Sequence, residues 1–234
     1  RFPINRKFHF RVINMDNLKI EVDRFIVFLK SIESTFVGLS FDDCHSFKVE
    51  IIQRSEAEAV FKSMKSNVVI MLYNYVEATV RKTMSDFYNK FNTSTSSYSE
   101  VILELRKLWI SSKVKDIKEN TIVADVFEMI ENSISQEFFI SLDFEKDFSL
   151  SGNADVRTIK EILHKHGVRF EESQFSDYGG SLKSIKDMRN SLAHGNISFE
   201  DNGKDLTVAD IEKYRDHIYS CINNFCELVN SQSF

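Results

Sequence analysis

Arg189-Asn190-Ser191-Leu192-Ala193-His194-Gly195 brings a guanidinium, an amide and an imidazole into one short stretch. An imidazole titrates near neutrality, so both its protonation states are accessible there. It can take a proton from a ribose 2′-hydroxyl or give one to a departing 5′-oxygen. A guanidinium holds a phosphate through planar, charge-assisted hydrogen bonds and stabilises the charge that builds on it. Arg189, Asn190 and His194 are therefore candidate catalytic residues for RNA cleavage, and the set requires no metal and no cofactor. A histidine before a glycine is also an ordinary helix end, and the bare spacing has low specificity.

The element that must position these groups is a helix. Leu182, Ile185, Met188, Leu192 and Ala193 follow one another at mainly three- and four-residue steps, the helical period. Gly195 suits the left-handed position that ends helices. His194 then falls in the last turn, where the helix dipole favours the imidazolium. Asn190 and His194, four apart, share a face. Arg189 and His194, five apart, diverge by about 140° at roughly 100° per residue. A long arginine spans part of that gap, or serves a site completed by a second chain.

Two further stretches accompany the motif. One is Ser151-Gly152-Asn153-Ala154-Asp155, followed by a helical run to His166 with Gly167 as its stop. Val156, Ile159, Ile162 and Leu163 form that helix's inner side. Arg157, Lys160 and His164 form its outer side, with His164 and His166 read as surface histidines. The other is Tyr73-Asn74-Tyr75-Val76-Glu77-Ala78-Thr79. Glu77 follows an apolar run, and a carboxylate there needs a partner. It is either a structural ion pair or an acid that orients His194 or Arg189.

Together these three stretches resemble the HEPN superfamily, in particular the stand-alone prokaryotic nucleases of its MAE-like branch. The similarity spans residues from about 60 to 225. It implies a metal-independent endoribonuclease, often a toxin or antiviral-defence effector, acting as a homodimer. An antitoxin or sensor protein would restrain it. Arg189, Asn190 and His194 would be its catalytic residues, with Glu77 in support. Arg157, Lys160 and Lys186 are candidate RNA contacts. One departure narrows the resemblance: HEPN toxins paired with a nucleotidyltransferase antitoxin carry a tyrosine two residues after the histidine, and here that position is Asn196. The alternative is a non-catalytic all-α nucleotide-binding or protein-interaction module.

The composition fits an all-α chain. One proline and seven glycines in 234 residues leave few helix breakers. At 42% hydrophobic the chain can bury a core. The net charge of −5 supplies no global field for nucleic acid. Between Arg157 and Arg189, however, bases outnumber acids seven to five. Cys44, Cys221 and Cys226 are odd in number and lack Cys-x-x-Cys spacing, against both disulfides and zinc. A reduced cytoplasmic setting follows. No apolar run reaches the length of a membrane helix.

The expected architecture is a HEPN-like helical bundle built round a long central helix, with extra helices. Residues 1–14 are an N-terminal extension or expression remnant, with Met15 as the natural start, or else a basic RNA-contacting tail; residues 15–234 form one domain. Helices are expected at about 16–37, 49–91, 98–111, 122–139, 155–166 and 181–193. Gly38 ends the first, and 41–47 and 92–97 are loops. Ile197-Ser198-Phe199 and Lys204-Asp205-Leu206 flank a turn at Asp201-Asn202-Gly203, predicting a small hairpin. Thr207 to Asp210 has the form of a capping box opening the last helix.

Overall fold

A computed structural model describes residues 15–36, 54–150 and 152–234. The expectations for residues 1–14, Gly38, the 41–47 loop, Cys44 and the start of the second helix at 49 lie outside the described residues. The chain is all-α: among the described residues no strand forms, only an isolated antiparallel bridge between Ser97 and Phe139.

The axis of the fold is α2, Arg54–Thr93, 40 residues and about 60 Å long at 1.5 Å per residue. Val68, Val69, Leu72, Tyr73, Val76, Val80 and Met84 are all buried. Asn67, Asn74 and Arg81, seven apart, stay exposed. The helix is thus enclosed on most sides, as its all-round apolar centre requires. Helices α1 (Met15–Phe36), α7 (Gly179–Ala193) and α9 (Val208–Ser231) pack around it. Val22, Ile26 and Leu29 are the buried row of α1, while Phe28 is exposed.

The remaining elements are α3 (Leu103–Asp116), α4 (Ile122–Ile134), α5 (Phe144–Asp147), α6 (Val156–Lys165), a 3-10 turn at Glu172–Phe175 and α8 (Phe199–Lys204). Helix α3 begins five residues later than its periodicity suggested. Its N-cap, Ile102, offers no side-chain cap, so no local signal marked the start. Trp109 is buried in the core, ringed by Tyr98 and Phe138.

The expected hairpin before the last helix does not form. Ser198 caps α8 instead, its hydroxyl accepting from the Asp201 N–H. Helix α8 then seats on α2. The Ser66 hydroxyl donates to the Phe199 carbonyl at 2.6 Å, and Asn202 donates to Ser66 at 3.0 Å. A Cβ on Gly203 would stand 1.9 Å from the Lys62 carbonyl oxygen. The glycine therefore serves a close helix–helix approach rather than a turn. Just beyond, the buried Lys65 ammonium donates to the Leu206 carbonyl, and burial lowers its pKa. The capping box at Thr207 and Asp210 then opens α9 as expected.

His166 is not a surface histidine: it is 1% exposed. Its Nδ1 lies 2.7 Å from the Ile162 carbonyl and its Nε2 3.0 Å from the Tyr88 hydroxyl. A carbonyl only accepts, so Nδ1–H donates to it and Nε2 accepts from Tyr88. Burial pushes the imidazole pKa down to about 4. Cys221 is buried and Cys226 half-buried; burial pushes the Cys221 thiol up to about 12. Both are packing residues with little thiolate character. Among the described residues, no helix is long and apolar enough to cross a membrane.

Candidate active site

Helix α7 buries Ser181, Leu182, Ile185 and Leu192 against the core. That leaves Lys186, Arg189 and Asn190 on its half-exposed flank. Its C-terminus is a Schellman motif. Gly195, at φ +68, donates its N–H to the Leu192 carbonyl, and Asn196 donates to the Ser191 carbonyl. His194 is the C-cap, its own N–H bound to the Asn190 carbonyl. The amides of His194, Gly195 and Asn196 are thus all held by the last turn, while the His194 side chain is exposed.

Arg189 turns inward to α2. Its guanidinium lies 4.4 Å from the Tyr73 ring centroid, within cation–π range. Nη2 is 3.6 Å from Glu77 Oε2, and Nη1 donates to Asn190 Oδ1 at 2.9 Å. Arg189 and Glu77 keep 26% and 21% of their side-chain surface, so the pair remains reachable from solvent. Tyr73 and Glu77 sit four apart on one face of α2, and the Tyr73 hydroxyl donates to Glu77 Oε1 at 3.4 Å. The same hydroxyl accepts the Ala154 N–H at 3.1 Å. Burial raises the Tyr73 pKa, so the phenol stays protonated and able to donate.

The loop before α6 closes the far side. Gly152, at φ +67, passes so near that a Cβ there would meet Arg189 Nη1 at 3.5 Å. Asp155 caps α6, accepting from the Thr158 N–H at 2.9 Å. It also accepts from Lys186 Nζ at 2.5 Å, with both side chains largely buried. Burial would raise the Asp155 carboxyl; the hydrogen bonds from Lys186 and Thr158 outweigh it and lower its pKa. The three stretches singled out in the sequence therefore converge on one guanidinium, supplying a ring, a carboxylate, an amide and a glycine.

The candidates fall into two groups. Arg189, Asn190 and Glu77 meet. Glu77 engages Arg189, and among the described residues no hydrogen bond or ion pair links it to His194. Asn190 likewise spends its carbonyl oxygen on Arg189. His194 stands apart at the helix end. Of the expected RNA contacts, Lys186 is tied to Asp155 and Lys160 to Glu172. Arg157 is 79% exposed and 3.7 Å from Glu161, a geometry that constrains it little. His164 lies against Phe170, ring centroids 4.7 Å apart. The role of Tyr73 as a platform and of Gly152 as a backing had no separate signal in the sequence. The Tyr-x-x-x-Glu spacing showed only that Tyr73 and Glu77 share a face. Among the described residues no cluster of three or more His, Cys, Asp or Glu could hold a metal ion.

Neither a curated protein nor a solved structure matches the chain. A family model described as MAE_28990-like HEPN matches residues 14–232. With a match of that extent, and with the family's all-α architecture present here, the chain belongs to the MAE_28990-like HEPN family.

Proposed function

We propose that this protein is a metal-independent endoribonuclease. The observation that carries the reading is the cage around Arg189. A planar cation is stacked on Tyr73, loosely paired with Glu77 and still partly exposed. A phosphate can compete for its outer edge, because the 3.6 Å contact to Glu77 is longer than a charge-assisted hydrogen bond. His194, exposed at the end of the same helix, supplies the proton transfers. Attack by the ribose 2′-oxygen on phosphorus forms the new P–O bond as the P–O5′ bond breaks. The proton leaves the 2′-hydroxyl to a base and reaches the 5′-oxygen from an acid. The products are a 2′,3′-cyclic phosphate and a 5′-hydroxyl. A homodimer that faces two such helices across a cleft provides one imidazole for each role. Such an activity suits a toxin or antiviral-defence effector held in check by an antitoxin or sensor protein, in a cytoplasmic setting.

The direct test is incubation of the pure protein with mixed cellular RNA in EDTA, with analysis of fragment ends. Cyclic phosphate and 5′-hydroxyl termini are expected, and His194→Ala, with its circular dichroism unchanged, should lower the rate about 10²- to 10⁴-fold. Cleavage by that variant at the parent rate defeats the assignment. A second reading, nucleotide binding without cleavage, draws on the same Glu77–Arg189 contact, since a carboxylate already occupies the guanidinium. It predicts bound nucleotide and intact RNA.

A further inference from the structure

Helix α4 has no buried residue, although most of its side chains are apolar. Val123, Phe127, Ile130 and Ile134 are 80%, 63%, 50% and 69% exposed. Their spacings of four, three and four alternate as the apolar positions of a heptad do. At about 100° per residue all four fall within roughly 60° of arc. The half-buried positions, among them Val126 and Met129, lie on a different side, which already faces the protein. The outward stripe is thus a second apolar face, narrow and in heptad register. That is the pattern of a seam made for another helix rather than of a broad core-facing surface.

Charge selects among occupants. Asp125, Glu128 and Glu131 give α4 three acids, with no lysine or arginine between Ile122 and Ile134. Among the described residues no ion pair neutralises them; Asp125 only accepts from the Thr121 hydroxyl. Lys113 shares a groove with Asp125 and Glu128 on the polar side, leaving Glu131 beside the seam. Glu131 occupies the flanking position of the heptad. Two copies paired here would bring three acids from each helix together with no lysine or arginine on either, and like charges oppose association. The face is also short, about 20 Å of helix. A face of that length makes a small contact, at the low end of the range for specific interfaces.

We propose that α4 is the docking surface for a helix of a partner protein, apolar along one seam and basic along its flanks. The contact is small and governed by electrostatics, and it is independent of the nuclease reading. The test titrates the full chain with a labelled synthetic helix about three heptads long, with leucine at the seam and lysine at the flanks. A companion peptide carries glutamate at the flanks. The lysine peptide should bind at least about tenfold tighter than the glutamate peptide at low salt. Glu128→Lys with Glu131→Lys should invert that preference. Val123→Ser with Phe127→Ser should weaken binding by about tenfold or more, and circular dichroism should show the fold intact because these side chains are exposed. Failure of the lysine peptide to bind, or equal binding of both peptides, overturns the proposal. So does a parent dimer that the serine variant dissolves, which would make the occupant a second copy. Binding only after deletion of residues 1–14 also overturns it, because the chain's own basic segment would then be the occupant.

Discussion

The guanidinium of Arg189 rests on the ring of Tyr73, 4.4 Å from its centre, and the hydroxyl of that ring ties two other elements together. It accepts the Ala154 N–H and donates to Glu77 on its own helix. One side chain on α2 thus holds both the α6 entry loop and the α7 cation. Tyr73→Leu removes the platform and leaves the Ala154 N–H without its partner. A lost cation–π contact of about 0.5–1 kcal/mol and an orphaned amide of about 1–3 kcal/mol should lower stability together. Urea titration should show a loss of about 2 kcal/mol, with RNA cleavage falling more steeply than the folded fraction. A variant with parent stability would mean that the loop is held by other contacts.

On the nuclease reading, Glu77, 3.6 Å from the guanidinium, competes with phosphate for Arg189. Glu77→Gln keeps the shape and removes the charge. An ion pair this exposed is worth about 0.2–1 kcal/mol. RNA affinity, read by fluorescence anisotropy at fixed salt, should therefore rise by up to about fivefold. Weaker binding would instead make the Glu77 carboxylate a support for the arginine.

His166 makes the fold acid-sensitive. Its folded pKa of about 4 lies below the ordinary value of 6.5. A buried neutral imidazole stabilises the fold fully above the unfolded pKa, and that stability is lost as pH falls from about 6.5 towards 4. The shift corresponds to about 3 kcal/mol at most. Urea midpoints measured at pH 7.5 and pH 5 should diverge for the parent and stay closer together for His166→Gln. Equal divergence in both proteins would place the acid sensitivity elsewhere.

Gly203→Ala drives a methyl group against the Lys62 carbonyl, which is backbone and cannot rotate away. Parting α8 from α2 should cost about 1–3 kcal/mol, visible as a lower Tm. An unchanged Tm would show that α8 can shift freely on α2.

Much of this fold was legible because its signals are local. The apolar centre of α2 announced a central helix. Gly167 and Gly195 marked helix ends, and both adopt positive φ. The Thr207–Asp210 box opened α9 where its residues said it should. Residues 198–204 misled because Asp201-Asn202-Gly203 carries turn chemistry. The deciding facts, a Ser198 cap and a carbonyl on α2 waiting for a glycine, are partly tertiary. The same limit applied to His166, whose burial depends on Tyr88 some eighty positions away, and to Glu77. Its need for a partner was plain, but that the partner is Arg189 emerges only when α2 and α7 lie side by side. Lys186 and Lys160 read as free cations in the sequence, since Asp155 and Glu172 reach them only through the folded chain.

The segment bearing His194 is pinned on both sides. Behind it, Gly195 and Asn196 clamp the end of α7; ahead, α8 is bolted to α2 through Ser66, Asn202 and Gly203. The exposed imidazole repositions by rotamer hops on a picosecond-to-nanosecond clock. On the nuclease reading, the slow steps of turnover then belong to the nucleic acid's own rearrangement or to the meeting of subunits, and viscosity or strand flexibility should tune the rate more than loop mutations near the ring.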